Sequence, residues 1–216
     1  MAYAGSWNRL ILTINRRIAE SFTYRGRVID LGCGACPYRE IILRQADEYI
    51  GVDWAASGPG EPCVDIVADI TAPLPFPDGH ADMVVAFQVL EHLPEPARFL
   101  AECHRVLAAE GTLILAVPFM WQVHDAPRDF YRFTRYGLAY LLEQAGFVEI
   151  DIRENSGFWQ MWVLKFNYYS RRFARGPIQY LFAPFWLLAQ AIAPVLDRID
   201  RYPQETVSYV ASARKR

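Results

Sequence analysis

This chain has no marked excess of either basic or acidic residues. Its 216 residues carry 22 basic and 24 acidic side chains, a formal net charge of −2. No global field pulls it toward nucleic acid, and no nucleic-acid partner is expected. Cysteine is scarce. Four in a chain this long do not make a disulfide framework, so a reducing cytoplasm is the expected compartment. A signal-peptide pattern is lacking too: Arg9, Arg16 and Arg17 interrupt the N-terminal stretch, and no long apolar run follows. Cys33 and Cys36 form one C-x-x-C pair, but no second pair and no histidine cluster accompanies it. Metal or redox chemistry is therefore not expected of it. What is plentiful is apolar: 53% hydrophobic and 14% aromatic residues supply a full core for one domain.

Periodicity divides the chain. Trp7, Leu10, Ile11, Ile14 and Ile18 fall at helical spacing and predict an amphipathic helix within 6–20. Strands are expected at Arg27–Leu31, Glu48–Val52 (ending at Asp53), Asp65–Ala68, Met83–Phe87, Thr112–Val117, Phe147–Arg153 and Thr206–Ala211. Helices are expected near 37–46, with Pro37 in the first turn, over 95–108, broken by Gly111, and over 134–145, with Thr134 as N-cap and Gly146 as stop. Residues 55–63 and 70–80, rich in glycine and proline, read as loops. Alternating strands and helices imply an α/β fold, a Rossmann-like doubly wound sheet. Such sheets bind ligands at the carboxyl ends of their strands. Asp30 and Gly32, Asp53, Asp69 and Gln88 all fall at such ends.

The stretch Val28-Ile-Asp-Leu-Gly-Cys-Gly-Ala35 is a buried strand running into a glycine turn. Gly32 and Gly34 let backbone approach a ligand closely, as a nucleotide-type cofactor requires. Position 37 is proline, so the G-x-G-x-x-G of a nicotinamide site is absent.

Five stretches in order, VIDLGCGACPY, YIGVD, DIVADITAPLPFPDG, DMVVAFQVLEHL and FLAECHRVLAAEGTLILAVP, resemble class I S-adenosylmethionine-dependent methyltransferases of the methyltransferase type 11 group. The resemblance covers residues 27–118 and weakens toward 153. It implies seven strands, mostly parallel, with an antiparallel last strand. It implies S-adenosylmethionine as cofactor, its amino-acid part held by Asp30 and the backbone of Gly32 and Gly34. Asp53 would accept hydrogen bonds from both ribose hydroxyls, as an acceptor-only carboxylate can. Trp54 would pack on the adenine. Asp69 would meet its amino group, Ile70 would offer a backbone amide to the ring, and Gln88 would border the methionine end. Cys36 stands where the family often has a third glycine, which implies a different approach to the next helix. Glu91-His92 reads either as an acid/base pair or as part of the fold after strand four.

Residues 118–134 follow the end of strand five and are too polar to be plain core. His124, Asp129, Tyr131 and Arg132 are the reactive side chains there. A hydroxyl acceptor needs its proton removed, and His124 is the expected general base, with Asp129 orienting it or contacting the acceptor. The alternative is that His124 pins the loop and Asp129–Arg132 is a local ion pair. The P-F…H-x-x-P-x-D-F-x-R-x-T pattern resembles a bacterial branch of the family associated with surface polysaccharide and glycolipid assembly. That implies a small, glycan or lipid-linked acceptor methylated on oxygen. A lipophilic, quinone-like ring and a non-catalytic cofactor-binding partner protein are the other readings.

The expected parts are an N-terminal helix within 1–24, a cofactor-binding core over 27–154, an apolar helical insertion over 155–205 between strands six and seven, and the last strand over 206–213. Pro177 to Leu196 is an uncharged run of twenty residues. It reaches the length of a membrane span, but a single crossing would strand the last strand on the far side. Two readings stay open for 158–198: helices lying in a membrane interface, with Arg171, Arg172 and Arg175 on anionic lipid, or a lid or homodimer seam.

Overall fold

A computed structural model describes residues 5–54 and 63–216; of the expected loop over 55–63, residues 55–62 lie outside the described residues. The elements run α1 (Arg9–Glu20), β1 (Arg27–Leu31), α2 (Arg39–Leu43), β2 (Glu48–Asp53), β3 (Ile66–Val67), β4 (Ala81–Phe87), α3 (Pro96–Val106), β5 (Leu107–Pro118), α4 (Arg135–Gln144), β6 (Val148–Glu154), α5 (Phe158–Arg171), α6 (Ile178–Ile199) and β7 (Ser208–Arg214). A 3-10 turn at Leu90–His92 follows β4. The sheet has the order β3-β2-β1-β4-β5-β7-β6. β7 is antiparallel to both β5 and β6, and the other pairings are parallel. The expected seven-stranded, doubly wound sheet with a helical insertion before its last strand is what the chain forms.

Strand composition explains the layering. β4 is nearly continuous apolar sequence and buried on both faces, as parallel strands covered by helices must be. On one face Ile29, Leu31, Val84, Leu113 and Leu115 pack with Leu100 of α3 and others from α3 and α4. On the other, Val28, Met83, Val85 and Ile114 meet Ile41 and Ile42 of α2. β6, at the sheet edge, alternates apolar and charged residues with matching burial.

Three expectations need correction. Strand five starts at Leu107, not Thr112, and the preceding helix ends at Val106. Gly111 is no break between elements. Leu107 pairs with Ala81 and Thr112 with Met83, so 108–111 form an excursion within the strand. Glu110 there has φ +62°, and a Cβ on Gly111 would lie 2.8 Å from the Ala108 carbonyl oxygen. Pro37 precedes α2 instead of occupying its first turn, because Cys36 takes a left-handed φ of +48° that delays the helix to Arg39. The last strand is Ser208–Arg214, displaced toward the C-terminus. The Val207 and Thr206 carbonyls still accept from the Phe119 and Met120 amides, just past the end of β5. Thr134 does cap α4, accepting from the Gly137 amide at 3.1 Å, and Gly146 follows the helix with φ +88°.

The insertion is docked. α5 and α6 pack on each other and on Leu10 and Ile14 of α1. Gln190, inside the apolar run, is buried; it accepts from the Leu10 amide at 2.8 Å and donates to the Ser6 carbonyl at 2.7 Å, satisfying an otherwise orphaned donor at the start of α1. Asp197 does the same for α5, accepting from the amides of Gly157, Trp159 and Gln160. The outer face of α6 stays exposed, Leu181, Phe185, Leu188 and Ile192 among it.

Candidate active site

The glycine turn sits at the carboxyl end of β1. Gly32 has φ +73°, and a Cβ there would lie 2.6 Å from Val89 Cγ2, so glycine is required on both counts. Its amide and that of Cys33 donate to the Val52 carbonyl, tying the turn to β2. Gly34 also has positive φ and faces open space. Cys36 donates its thiol to the Cys63 carbonyl, and burial pushes that thiol up to about 11. Burial likewise raises Cys33. Both therefore stay protonated rather than nucleophilic.

Three carboxylates surround the turn. Asp30, 2% exposed, accepts from the Tyr49 hydroxyl at 2.7 Å, and burial pushes its carboxyl up to about 7. Asp53 accepts from the Gly34 amide through Oδ2 and from the Trp54 amide through Oδ1, each at 2.7 Å. Asp69 closes a small turn, accepting from the Thr71 hydroxyl and amide, which hold its carboxyl below the usual range. Trp54 is 64% exposed, and the Arg128 guanidinium lies over its ring, 4.1 Å from the centroid.

Two cavities meet here. One, of 880 Å³, is bordered by Asp53, Trp54, Asp69, Ile70, Arg128 and Phe130. The other, of 630 Å³, is bordered by Asp30, Gly34, Tyr38, Trp121, His124 and Tyr168. Gly32, Gln88, His92 and Asp125 line both. All eight residues expected at a cofactor site thus border one two-lobed cleft. Its donor set is a fit for S-adenosylmethionine: carboxylates at three strand ends face a ligand that carries an ammonium, ribose hydroxyls and an amino group, and the glycine turn leaves room for backbone approach.

The loop after β5 folds over the second lobe. His124 lines it; Asp129 lies behind, its side chain 2% exposed. Arg132 grips Asp129 with two hydrogen bonds of 2.6 and 2.7 Å and donates to the Gln122 carbonyl. The pairing holds the Asp129 carboxyl well below its ordinary range. Asp129 Oδ2 also accepts from the His124 amide at 2.8 Å and stands 3.4 Å from His124 Nδ1. Of the two expectations for Asp129, only the positioning one has a geometric basis, since the side chain does not border the cleft. Burial lowers His124, which keeps its imidazole neutral at physiological pH.

Glu91 is the larger surprise. It is fully buried, and neither carboxylate oxygen has a hydrogen-bond partner. Burial pushes the group up to about 8. Its carbonyl accepts from the Phe130 and Tyr131 amides, so the 3-10 turn anchors the loop. The sequence shows no histidine cluster, yet the fold builds one: the His92 and His124 rings lie 4.8 Å apart beside Glu91. Sequence reasoning also missed the cover of the second lobe, to which Ile11 and Asn15 of α1 and Tyr168 of α5 contribute. The spacing in α1 revealed a helix but not what it would cover.

Residues 29–115 match the family model described as a methyltransferase domain. The chain is 36% identical over 117 residues to a probable S-adenosylmethionine-dependent methyltransferase of Mycobacterium tuberculosis, across 52% of this chain and 42% of that protein. It is 26% identical over 130 residues to the ubiquinone biosynthesis O-methyltransferase of Pseudomonas aeruginosa, across 54% of this chain and 52% of that one. The chain thus spans about half the length of these curated relatives or less. A crystal structure of an S-adenosylmethionine-dependent methyltransferase from Archaeoglobus fulgidus shares the fold, with a TM-score of 0.63 at 19% identity over 96% of this chain and 94% of the other.

Proposed function

We propose that this chain, whose residues 29–115 match the methyltransferase-domain family model, is an S-adenosylmethionine-dependent methyltransferase acting on oxygen of a small, glycan or lipid-linked acceptor. The observation that carries the reading is the convergence of Asp30, Asp53 and Asp69 with the glycine turn on one cleft. When bound, S-adenosylmethionine supplies an electrophilic methyl group on a positively charged sulfur. The chain's own residues bind and orient. Asp30 lies where an ammonium group would be held, Asp53 offers acceptors to ribose hydroxyls, and Asp69 and Ile70 border the adenine lobe. Transfer is an in-line displacement, so alignment of acceptor and methyl carbon contributes most of the acceleration. Trp121, Tyr168 and Ile11 of α1 wall the second lobe. His124, neutral and in the cleft, is the group placed to take a proton from an acceptor hydroxyl.

A lipophilic, quinone-like ring is the second acceptor reading. It is supported by the name of the Pseudomonas relative and by the aromatic walls of the second lobe. Residues 158–198 are proposed as a peripheral membrane contact on the cytoplasmic side. The exposed apolar side chains of α6 and the arginines 171, 172 and 175 at the α5–α6 turn support this. A single span does not suit the chain: α6 is long and apolar enough, yet β6 before it and β7 after it share one sheet.

Calorimetry with S-adenosylmethionine and S-adenosylhomocysteine tests the cofactor. Saturable binding of either supports the enzyme, and binding of neither would leave a non-catalytic partner protein. Labelled cofactor incubated with extracted lipids and glycans then identifies the acceptor class.

A further inference from the structure

We propose that Glu91, His92 and His124 form a binding site for one divalent transition-metal ion of the zinc, cobalt or iron(II) kind, at the acceptor end of the cleft. The three side chains come from two segments, the turn after β4 and the loop after β5. Their ligand atoms lie within 4.8 Å of one another. Nε2 of His92 and Nε2 of His124 stand 3.8 and 3.9 Å from the same atom, Glu91 Oε1. An ion held tetrahedrally at about 2.0–2.2 Å sets its ligand atoms roughly 3.3–3.6 Å apart, so each histidine–glutamate pair closes by a few tenths of an ångström and the widest pair by about an ångström.

Two further observations point to a cation. Glu91 is completely buried and both its oxygens lack a partner. A buried carboxylate needs a donor or a positive charge, and two imidazole nitrogens stand 3.8 and 3.9 Å from its Oε1. The second observation concerns how those rings are held. His92 Nδ1 lies 2.6 Å from the Arg128 carbonyl oxygen and must donate to it, so in the neutral ring the Nε2 lone pair faces the cluster. His124 presents Nε2 to Glu91, while its Nδ1 lies 3.3 Å from the donor Arg132 Nη2 and 3.4 Å from Asp129 Oδ2; for Nε2 to hold an ion, Nδ1 must carry its proton toward Asp129 and give up the Arg132 contact. The carbonyl behind His92 is the arrangement that orients a metal-binding imidazole, and the Asp129 carboxylate beside His124 offers the same kind of acceptor to Nδ1 once an ion is bound.

The donor set decides the class of ion. Two imidazoles and one carboxylate suit zinc, cobalt or iron(II), whereas magnesium and calcium call for oxygen ligands. The open side faces the cleft, where His92, His124 and the exposed Asp125 line the wall; Asp125 Oδ2 lies 4.0 Å from His92 Nε2. Binding of the ion does not depend on the methyltransferase reading. Its use does: a hydroxyl oxygen resting on the ion becomes more acidic, its proton passes to Asp125, and the oxygen accepts the methyl group as the carbon–sulfur bonding pair stays on sulfur. His124 then serves the acceptor proton through the ion instead of by direct contact.

The full chain, stripped with chelator, is titrated with Zn²⁺ and separately with Co²⁺, following heat and the visible cobalt absorption. One ion per chain is expected, with a nitrogen–oxygen cobalt spectrum and affinity at least about tenfold weaker in Glu91→Gln and in His124→Gln. No saturable binding, or unchanged affinity in both variants, overturns the site. So does a cobalt–thiolate charge-transfer band, which would put the ion on Cys33, Cys36 or Cys63; this readout on the unaltered protein stands even where a variant fails to fold. Calorimetry with S-adenosylmethionine on the same sample separates the two readings: cofactor bound without metal sinks the metal site alone, and metal bound without cofactor sinks the methyltransferase.

Discussion

Asp53 Oδ2 accepts the Gly34 amide proton at 2.7 Å, so the carboxylate at the end of β2 braces the glycine turn at the end of β1. The same oxygens are the ones proposed to accept from ribose hydroxyls, and a ligand entering the cleft would meet them already oriented by backbone. Hydrogen bonds to a charged acceptor contribute roughly 1.5–3 kcal/mol each. Asp53→Ala is therefore expected to weaken S-adenosylmethionine binding at least about tenfold by calorimetry. Unchanged affinity would remove Asp53 from the site.

Asp30 gives a pH dependence. Burial pushes its carboxyl up to about 7, while a carboxylate facing a ligand's ammonium must be ionised. Cofactor affinity should hold above pH 7 and fall by up to about tenfold per unit below it, with a proton released on binding. Calorimetry at pH 6 in two buffers of different ionisation enthalpy reads that proton. For the ligand-free protein the sign is set by a folded value raised above the unfolded one. The protonated form's stability is complete below the unfolded value, about 4, and is lost as pH rises through about 7. Asp30→Asn should therefore unfold at higher temperature than the parent chain at pH 8 and not at pH 4.

His124→Gln separates chemistry from binding. Loss of a group that handles the acceptor proton costs about 10²–10⁴ in turnover, while cofactor affinity should stay within about twofold. Equal loss of both would mean that His124 only pins the loop.

Asp129 holds the loop, and its removal should show as instability. Asp129→Asn leaves Arg132 without its carboxylate and is expected to cost roughly 3 kcal/mol at pH 7 by chemical denaturation. The folded carboxyl is depressed by Arg132. The parent chain keeps this contribution above the unfolded value, about 4, and loses it as pH falls toward the folded one. The gap between parent and variant should therefore shrink on acidification; a constant gap would argue against the ion pair.

The outer face of α6 can be changed without touching the core. Leu181, 77% exposed, and Leu188, 60% exposed, replaced together by glutamate should leave the unfolding temperature unchanged and reduce flotation with anionic liposomes severalfold. Unchanged flotation would point to a lid or dimer role; sedimentation would then show a monomer where the parent chain is dimeric.

Much of this was legible in the residues themselves. The apolar runs at 28–31 and 83–87 could only be buried strands. The two glycines of the turn and the acids at strand ends were legible as one rim, and in the structure they border one cleft. Local rules also held for α4, where Thr134 and Gly146 act on their own neighbours. They failed where a distant partner decides. Gly111 reads as a breaker, but pairing of Thr112 with Met83 absorbs it into a strand. Gln190 sits within an apolar run and carries no local signal of its role, because the amide it accepts from belongs to Leu10, on another helix. Glu91, His92 and His124 carry no joint signal, since the loop after β5 must first lie back on the turn after β4 for them to meet.

β6 touches the sheet only through β7. Along the chain, however, β6 comes first, and the whole α5–α6 hairpin intervenes. During synthesis the edge strand has no ladder to join until the helices and then β7 have emerged, so the pairing most distant in sequence must precede the one nearest the edge. Until β7 inserts, the side of β5 away from β4 presents unpaired backbone groups, a liability for self-association. A chain cut before Ser208 would lose the pairing of two strands, not one, since β6 has no other neighbour in the sheet.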